Sequence, residues 1–360
     1  MTRCVLITGG AGFIGGALVR QIMAETDWFV VNLDKMTYAA NPDLPGEFAG
    51  NQRHRFIQAD IADEAAVREI FTTMRPDSVM HLAAETHVDR SIDGPKPFLD
   101  TNITGSFMLL EAALRHWRGL QGAAKDGFRF LHVSTDEVFG SLPENGSFDE
   151  DTPYAPNSPY SASKAASDHL ARAWHRTFDL PVLVSNCSNN YGPYQFPEKL
   201  IPLMIIKAER GEKLPVYGDG QQIRDWLHVA DHARALRTIL TAGRPGESYN
   251  VGARCERTNL SIVEAICDRL DLKQPLASGQ KRRSLIQFVT DRPGHDRRYA
   301  MKPDKIEGEL GWRPQLPFER GLAETVDWYL SHAAWWQGIM ARRYAGERLG
   351  LTQPAAAKVS

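Results

Sequence analysis

The sequence predicts an α/β fold: a Rossmann-like, doubly wound parallel sheet joined to a smaller and less regular α/β lobe. Three observations support this prediction. Short β-branched runs alternate with helical patterns through the first half of the chain. A glycine-rich turn connects the first predicted strand to the first predicted helix. Beyond about residue 189, several prolines interrupt the alternation.

The elements of the first half follow one another in strand and helix order. Residues 4–8 form an apolar run, which predicts a buried strand. Phe13, Leu18 and Ile22 recur at helical spacing and predict a helix over residues 13–25. The same alternation predicts further strands at 28–33, 55–58, 78–82, 128–134 and 182–185, and further helices at 64–73, 98–116 and 160–177.

The two predicted lobes follow each other along the chain. We expect residues 1–188 to form the Rossmann-like domain and residues 189–345 to form the second lobe. Residues 229–240 again have a regular helical pattern, so the segment 225–245 is expected to return to the first domain. Residues 352–360 are small and polar and are expected to form a frayed tail.

Composition argues against several classes of protein. The chain has 42 Lys and Arg against 44 Asp and Glu, and a formal charge of −2 predicts no nucleic-acid partner, which would need a concentrated positive field. The four cysteines are scattered without a C-x-x-C pair, which predicts neither a zinc site nor a disulfide framework. No run reaches the roughly 20 apolar residues of a membrane span. The N-terminus lacks a secretory signal pattern, so we expect a cytoplasmic protein without a membrane partner.

A dinucleotide site is predicted where the first strand ends. The turn at residues 8–15 has glycines at positions 9, 12 and 15 and opens a helix. Gly9 suits the tight turn, Gly12 lets a pyrophosphate approach the backbone, and Gly15 allows close helix–strand packing. The phosphates would meet the free amides at the positive end of the helix. Asp34 lies 19 residues beyond Gly15, where its carboxylate can accept both ribose hydroxyls and favours NAD over NADP.

A candidate reactive pair lies on one predicted helix. Tyr160 and Lys164 are four residues apart, which puts their side chains on the same helical face. An adjacent ammonium and a nicotinamide cation would stabilise the phenolate of Tyr160, which could then remove a hydroxyl proton as hydride leaves the same carbon. Ser134 and Thr135 end a predicted strand 25 residues upstream of Tyr160 and are expected to face this site.

These features resemble the extended short-chain dehydrogenase/reductases that act on nucleotide sugars. Within that superfamily, the stretch Thr-Asp-Glu-Val-Phe-Gly at residues 135–140 is similar to the signature of dTDP-glucose 4,6-dehydratases. Further stretches that agree with this family are residues 85–91, 186–193 and 291–296. Phe139 stands where the family usually has Tyr, and Thr86 stands where it commonly has Ser. Neither difference removes a reacting group.

The resemblance implies conversion of dTDP-D-glucose to dTDP-4-keto-6-deoxy-D-glucose and water, with NAD as cofactor. A ketone at C4 acidifies the C5 hydrogen, so that a base can remove it while an acid protonates the departing C6 hydroxyl. Two carboxyls with pKa values pushed apart can supply both roles at one pH. We expect Tyr160 and NAD to oxidise C4, Glu137 to take the C5 proton, and Asp136 to protonate the C6 oxygen. Thr135 is expected to hold the C4 oxygen, and Lys164 is expected to orient the nicotinamide ribose.

The resemblance also assigns residues to the two ligands. Those expected to bind NAD are Gly9, Gly12, Phe13, Ile14, Gly15, Asp34, Lys35, Thr37, Asp60, Ile61, Leu82, Ala83, Ala84, Thr101, Tyr160, Lys164 and Asn190. Those expected to bind the sugar nucleotide are Thr86, Ser134, Asn189, Lys199, Leu200, Pro215, Tyr217, Arg224, Asn259, Arg292 and His295. Arginine can grip phosphate oxygens with a fixed fork, which suits a diphosphate.

The residues leave several alternatives open. A UDP-sugar 4,6-dehydratase differs by one methyl group on the base, which is worth only about 1–3 kcal/mol. An NAD-dependent epimerase or decarboxylase would use Tyr160 but would not need Asp136 and Glu137. A non-catalytic NAD-binding regulator would not need Thr135, Tyr160 and Lys164. The downstream pathway, to rhamnose or to another deoxysugar, is not determined by the sequence.

Three other features complete the predictions. His228 and His232 are four residues apart but lack the Glu of an H-E-x-x-H pattern, so we predict no metal site. Trp335 and Trp336 are expected to pack a terminal helix onto the body. The resemblance implies a homodimer formed through the helices at 98–116 and 160–177.

Overall fold

A computed structural model describes residues 2–344, 346 and 349. The predicted tail at 352–360 lies outside these residues. The strands are β1 (Cys4–Thr8), β2 (Phe29–Asp34), β3 (His54–Gln58), β4 (Ser78–His81), β5 (Arg129–Thr135), β6 (Val182–Cys187), β7 (Asn189–Tyr191), β8 (Leu214–Tyr217), β9 (Ile223–His228), β10 (Ser248–Val251), β11 (Glu256–Thr258) and β12 (Ile286–Val289).

The α-helices lie between these strands and after the last of them. They are α1 (Phe13–Glu25), α2 (Leu44–Glu47), α3 (Glu64–Met74), α4 (Val88–Asp93), α5 (Lys96–Phe98), α6 (Ser106–Gly119), α7 (Gly122–Gly127), α8 (Pro159–Phe178), α9 (Leu200–Glu209), α10 (Val229–Ala242), α11 (Asn259–Lys273), α12 (Asp304–Leu310), α13 (Phe318–Ser331) and α14 (Ala333–Arg342). Short 3₁₀ turns occupy Asp136–Phe139 and Arg282–Leu285.

The main sheet has seven parallel strands in the order β10-β6-β5-β4-β1-β2-β3. Thr8, the last residue of β1, lies opposite Leu33 of β2 on one side and His81 of β4 on the other. Strands β2 and β3 lie on one side of β1, and β4, β5 and β6 lie on the other. The strand order therefore reverses at β1, which creates a crevice at the carboxyl ends of these strands. The predicted Rossmann-like, doubly wound sheet is confirmed.

Helices cover both faces of this sheet. On one face, Leu18 and Ile22 of α1 share a buried core with Leu236 and Ile239 of α10. On the other face, α3, α6 and α8 enclose a second core, in which Leu110 is fully buried. Burying one such leucine side chain contributes about 1.5–3 kcal/mol, so these two cores hold the strand ends in fixed positions.

Helix α8, which contains the predicted reactive pair, has a well-defined start. The Ser158 hydroxyl accepts a hydrogen bond from the Ser161 backbone, and the Ser161 hydroxyl accepts one from the Ser158 backbone. Pro159 occupies the first turn, where its missing N–H costs nothing. This capping box fixes the first turn of α8 and with it the position of Tyr160.

The predicted helix at 98–116 is more complex than expected. Leu99–Gly105 form a π-helical segment between α5 and α6. Thr101 in this segment accepts a hydrogen bond from Lys35 at 3.0 Å, and Asn102 hydrogen-bonds Ser163 at 2.9 Å. These tertiary contacts are not visible in helical periodicity, and wide turns of this kind often occur at functional sites.

The second lobe has its own core and two small sheets. Strands β11, β9 and β7 form one sheet, while β12 pairs with β8 in the other. Helices α9, α11, α13 and α14 pack around them and bury residues such as Ile205, Ile266 and Val326.

The chain packs against the main sheet again after β9, and it does so well beyond residue 245. Helix α10 packs against α1, and β10 then pairs with β6 as the edge strand of the main sheet. Helix α12 adds Ile306 to the same core. The four residues of β10 are too few for a local pattern to reveal their long-range pairing. Within the part of the chain that the structure describes, no helix has the length and apolar character needed to cross a membrane.

Candidate active site

A deep cavity opens at the carboxyl ends of the central strands. Its wall includes the turn after β1, the end of β2, the residues that follow β4, the end of β5 and the first turns of α8. The carboxyl ends of parallel strands meet at one edge of a sheet, so side chains distant in sequence gather here.

The glycine turn after β1 is closely packed. Gly9 has a φ of +71°, and a Cβ at this position would lie 2.6 Å from the backbone nitrogen of Ala83. A Cβ on Gly15 would lie 2.1 Å from the carbonyl oxygen of Gly9. Gly12 is the N-cap of α1, and no side chain caps this helix. Its first amides therefore remain available at the cavity wall, as a diphosphate requires.

Asp34 is held rigidly at the end of β2. Its carboxylate accepts hydrogen bonds from the backbone amides of Ala11 at 3.0 Å and Met36 at 2.8 Å. Burial raises the pKa of Asp34, while these two amides lower it. The Lys35 ammonium turns toward Thr101, to which it donates at 3.0 Å. A fixed carboxylate here suits the ribose hydroxyls of NAD and would repel a 2′-phosphate.

The structure gathers all the residues that the sequence assigns to NAD. The cavity is lined by Gly9, Gly12, Phe13, Ile14, Gly15, Asp34, Lys35, Thr37, Asp60, Ile61, Leu82, Ala83, Ala84, Thr101, Tyr160, Lys164 and Asn190. The glycine turn, the uncapped helix and the fixed acid of β2 together fit a dinucleotide.

The predicted reacting groups lie at the end of β5 and the start of α8, in the same cavity. The Thr135 hydroxyl donates to Asp136 at 3.2 Å and accepts from the backbone amide of Glu137 at 3.3 Å. The Thr135 hydroxyl also lowers the pKa of the nearby Tyr160 phenol, in opposition to burial. Thr135 is therefore close to both the tyrosine and the acidic pair.

Asp136 and Glu137 are adjacent in sequence but differ in their surroundings. Asp136 is 1% exposed, and its Oδ2 has no hydrogen-bond partner among the described residues. Burial, and then the charge of Glu137, raises the pKa of Asp136 well above its usual value. Burial also raises the pKa of Glu137, but the positive charges of Arg292, Arg224 and Lys199 oppose that shift. The surroundings therefore favour a proton on Asp136 before one on Glu137.

The electrostatics of Tyr160 differ from the expectation. Burial, followed by the negative charge of Glu137, raises the pKa of Tyr160 well above its usual value. The Lys164 ammonium is buried and donates to the carbonyl of Val133 at 2.9 Å, and burial lowers its pKa. The surroundings of Tyr160 within the protein therefore disfavour its phenolate.

A buried polar network centred on Asp168 lies behind the reactive end of β5. The Asp168 carboxylate accepts hydrogen bonds from Ser134 at 2.8 Å and from Tyr154 at 2.7 Å. Asn186 donates to the carbonyl of Thr135 at 3.2 Å and also lies 3.3 Å from Asp168. This network fixes the strand end that presents Thr135.

The residues predicted to bind the sugar nucleotide divide into two groups. Those that line the cavity are Thr86, Ser134, Asn189 and Lys199, whereas Leu200, Pro215, Tyr217, Arg224, Asn259, Arg292 and His295 do not. Tyr217 and Arg292 both bind the carboxylate of Asp89, at 3.2 and 2.8 Å. The Tyr217 ring contacts His295 edge to face, with centroids 6.3 Å apart.

The other members of the second group have different environments. Arg224 donates to the carbonyl of Asp296 at 2.9 Å, and its charge still acts on Glu137. Leu200 is the first residue of α9, Pro215 lies in β8 and Asn259 is the first residue of α11.

Sequence reasoning missed several residues of the site. Additional lining residues are Leu33, Ala39, Ala40, Ala59, Glu85, Val133, Cys187, Ser188, Gln195, Phe196 and Glu198. Glu85 belongs to a stretch that the resemblance highlighted, and Glu198 directly precedes Lys199. Asp168 is four residues beyond Lys164, so the spacing on α8 was a signal for it.

His228, the N-cap of α10, and His232, within α10, both have hydrogen-bond partners in the protein. His228 Nδ1 accepts a hydrogen bond from the Ala230 backbone at 3.3 Å, and His232 Nδ1 pairs with Asn190 Oδ1 at 2.9 Å. Among the residues that the structure describes, no group of three or more His, Cys, Asp or Glu side chains is arranged to hold a metal ion.

Comparison with known proteins adds to this geometry. Residues 6–325 match a family model described as GDP-mannose 4,6 dehydratase. A dTDP-glucose 4,6-dehydratase of Xanthomonas campestris pv. campestris is 57% identical over 347 residues, which cover 96% of this chain and 99% of the relative. The chain belongs to the dTDP-glucose 4,6-dehydratase family. The family resemblance noted in the sequence is confirmed.

Solved structures of dTDP-glucose 4,6-dehydratases have the same fold. The enzyme of Bacillus anthracis in complex with NAD superposes with a TM-score of 0.84 at 41% identity, covering 94% of this chain and 100% of that one. The enzyme of Streptomyces venezuelae, also with NAD bound, gives a TM-score of 0.85 at 43% identity, covering 93% and 99% of the two chains.

Proposed function

We propose that the chain is an NAD-dependent hydro-lyase that converts dTDP-D-glucose to dTDP-4-keto-6-deoxy-D-glucose and water. One observation supports this above all: Asp136, a buried carboxyl with one oxygen that has no hydrogen-bond partner among the described residues, lies beside Glu137 in the cavity that fits a dinucleotide. The relative from Xanthomonas, a dTDP-glucose 4,6-dehydratase at 57% identity, agrees with it. When bound, NAD would supply a hydride acceptor for oxidation at C4 and the hydride returned to C6, so that it would be regenerated in each turnover.

The first step is removal of the C4 hydroxyl proton, which we assign to Tyr160. Its closeness to Thr135 in the same cavity supports this role, because the two hydroxyls together can orient the C4 oxygen. Lys164, whose ammonium is fixed by the Val133 carbonyl, would orient the nicotinamide ribose. Burial raises the pKa of Tyr160, and the positive charge of bound oxidised NAD would oppose that shift.

The second step is elimination of water across C5 and C6. Glu137, whose carboxylate is stabilised by three nearby cations, would remove the C5 proton. Asp136, whose pKa is raised well above its usual value by burial and by Glu137, would donate a proton to the departing C6 oxygen. Because their surroundings shift the pKa values of the two carboxyls to different extents, one can act as base and the other as acid at a single pH.

The sugar nucleotide would extend from this acidic pair toward the second lobe. Lys199, Arg224 and Arg292 all act electrostatically on Glu137, which supports a diphosphate site close to it. Tyr217 and His295 would lie farther out, toward the base. On the same grounds, we propose that the chain is divided into a Rossmann-like domain and a lobe that binds the nucleotide sugar.

The test is a panel of dTDP-, UDP-, CDP- and GDP-glucose incubated with the purified enzyme. Mass analysis detects the loss of one water, and alkali reveals the 4-keto chromophore. We expect the dTDP sugar to give the highest kcat/KM. A highest kcat/KM with UDP-glucose would instead identify a UDP-sugar 4,6-dehydratase, and epimerisation without loss of water would reject the dehydratase.

Variants separate the two steps. Glu137→Gln and Asp136→Asn should still show the absorbance of reduced nicotinamide but should eliminate water at least 100-fold more slowly, since each loses one proton transfer worth about 10²–10⁴-fold. If both variants eliminate water at the parental rate, the assignment of the acidic pair is wrong.

We also propose a homodimer formed through α6 and α8, and a cytoplasmic location. Phe107 on α6 is 37% exposed and lies edge to face with Trp174 on α8, at 5.8 Å. Leu99, just before α6, is 46% exposed. An exposed apolar group of this kind favours association of two copies. Light scattering on the parent and on Phe107→Glu tests the dimer.

A further inference from the structure

The loop between β2 and α2, residues 35–43, forms one wall of the cofactor cavity. Thr37, Ala39 and Ala40 line the cavity directly. The loop begins at Asp34, which anchors the backbone amide of Met36. Asp34 is also fixed by the backbone amide of Ala11 from the glycine turn, so the loop borders the part of the cavity where a cofactor ribose would be held.

The end of helix α14 binds this same loop through main-chain carbonyls. Arg343 Nη1 lies 2.8 Å from the carbonyl oxygen of Ala40, 3.2 Å from that of Tyr38 and 3.5 Å from that of Thr37. In the described part of the chain, Arg343 makes no ion pair with an acid. Its guanidinium is therefore committed to the loop, and charged hydrogen bonds of this kind are among the stronger ones.

A second polar contact and an aromatic cluster reinforce this attachment. The Trp335 indole N–H donates to Oδ1 of Asn41 at 3.1 Å. The Tyr38 ring meets Phe196 edge to face at 5.5 Å, and Phe196 in turn contacts Tyr344 at 6.3 Å. Both ends of α14 therefore touch the loop or its neighbours.

Helix α14 also packs into the core of the second lobe. Trp336 and Met340 are buried in the core of that lobe, and the Trp336 indole donates to the carbonyl of Tyr329 in α13 at 2.9 Å. Helix α14 therefore connects the rigid core of one lobe to the cofactor loop of the other, and the loop cannot open without breaking these contacts.

We propose that α14 and Arg343 retain NAD by holding the β2–α2 loop closed against the cofactor. This inference rests on the proposed function, in which NAD is regenerated in every turnover and has no need to leave. Trp335 and Arg343 are positioning residues: they act on the cofactor only through the loop. Their loss should accelerate release of NAD much more than it slows the chemical steps.

The experiment compares Arg343→Met and Trp335→Phe with the parent holoenzyme. Met keeps the apolar stem of Arg343 without its donors, and Phe keeps the ring of Trp335 without the N–H. The neighbouring Arg342 is exposed, and Arg342→Met is the matched control. Release of bound radiolabelled NAD is followed after addition of a large excess of unlabelled NAD, and turnover is measured with and without saturating NAD.

We expect Arg343→Met to release NAD at least tenfold faster than the parent and Trp335→Phe to release it severalfold faster, with Arg342→Met unchanged. Turnover of both loop variants should stay within about twofold of the parent at saturating NAD but fall on dilution without NAD. Release rates equal to that of Arg342→Met would overturn the proposal. A parent that holds NAD but eliminates no water would contradict the proposed function instead, so the two failures are distinguishable.

Discussion

His232 Nδ1 lies 2.9 Å from Oδ1 of Asn190, a residue of the cofactor cavity. The direction of this hydrogen bond follows from its neighbours. Asn190 Nδ2 donates to the carbonyl of Ser188 at 2.8 Å, so Oδ1 must face the imidazole. Burial lowers the pKa of His232 to about 3, which leaves a single N–H on the ring. That proton is therefore on Nδ1, and His232 fixes the orientation of the Asn190 amide.

Two amide substitutions test this orienting role. The side-chain nitrogen of Asn falls near the position of histidine Nδ1, whereas that of Gln falls near Nε2. His232→Asn should therefore keep the bond to Asn190, while His232→Gln should lose it at a cost of about 1.4 kcal/mol, or roughly tenfold in the rate of C4 oxidation. Single-turnover absorbance of reduced nicotinamide measures this rate. Equal effects of the two variants would rule out the orienting role.

The same histidine predicts a dependence of stability on pH. The unfolded chain binds a proton at His232 below about pH 6.5, whereas the folded chain does so only below about pH 3, so stability falls as the pH falls between these values. At pH 5 the loss from this residue should be about 2 kcal/mol. Urea unfolding at pH 7.5 and pH 5.0 measures it, and the pH-dependent loss should be smaller by this amount in His232→Asn.

Gly15→Ala should prevent NAD binding or folding. The new Cβ would lie 2.1 Å from a backbone oxygen, which cannot move without displacing the glycine turn. Overpacking usually lowers the free energy of unfolding by about 1–3 kcal/mol, and for this close contact we expect a loss of at least about 3 kcal/mol. Gly94→Ala is the control, since a Cβ at Gly94 meets nothing within 4 Å. Thermal unfolding and bound NAD content report the difference, and similar behaviour of the two variants would contradict the expected clash.

Asp168→Asn should slow turnover without weakening substrate binding. Oδ2 of Asp168 accepts from Ser134 and Tyr154, and Oδ1 pairs with His132 Nε2 at 3.0 Å. The amide nitrogen of Asn cannot accept a hydrogen bond at either position, so the end of β5 would lose part of its support. We expect kcat to fall about 10-fold or more, with KM within twofold, because the affected groups act on the reacting carbon. Asp179→Asn, at the exposed end of the same helix, is the control. An unchanged kcat in a folded Asp168→Asn enzyme would show that the network is only structural.

Local sequence was sufficient for the parts of the fold that are built from local contacts. The glycine turn, Asp34 and the pair Tyr160 and Lys164 depend on a strand followed by a helix, and spacing alone placed them in one cavity. The acidic pair was located by the resemblance of residues 135–140 to a family signature, and its position directly after a strand, Arg129–Thr135 in the structure, agrees with that assignment.

Contacts between distant segments were not predictable in this way. The bond between Asn41 and Trp335 joins residues 294 positions apart, and no periodicity within either segment encodes it. The wide turns at Leu99–Gly105 depend on partners elsewhere in the chain, such as Lys35. The raised pKa of Tyr160 likewise depends on burial by the assembled fold rather than on the lysine four residues away.

The pairing of β10 with β6 also affects how the protein is synthesised. Val251 lies opposite Cys187, so the last strand of the main sheet leaves the ribosome only after β7, β8 and β9. Until then β6 is a bare edge, with unpaired amides and carbonyls that can capture another nascent chain. Translation must therefore pass residue 251 before the first domain can close, and a fragment cut at the apparent boundary near residue 188 would be prone to aggregate.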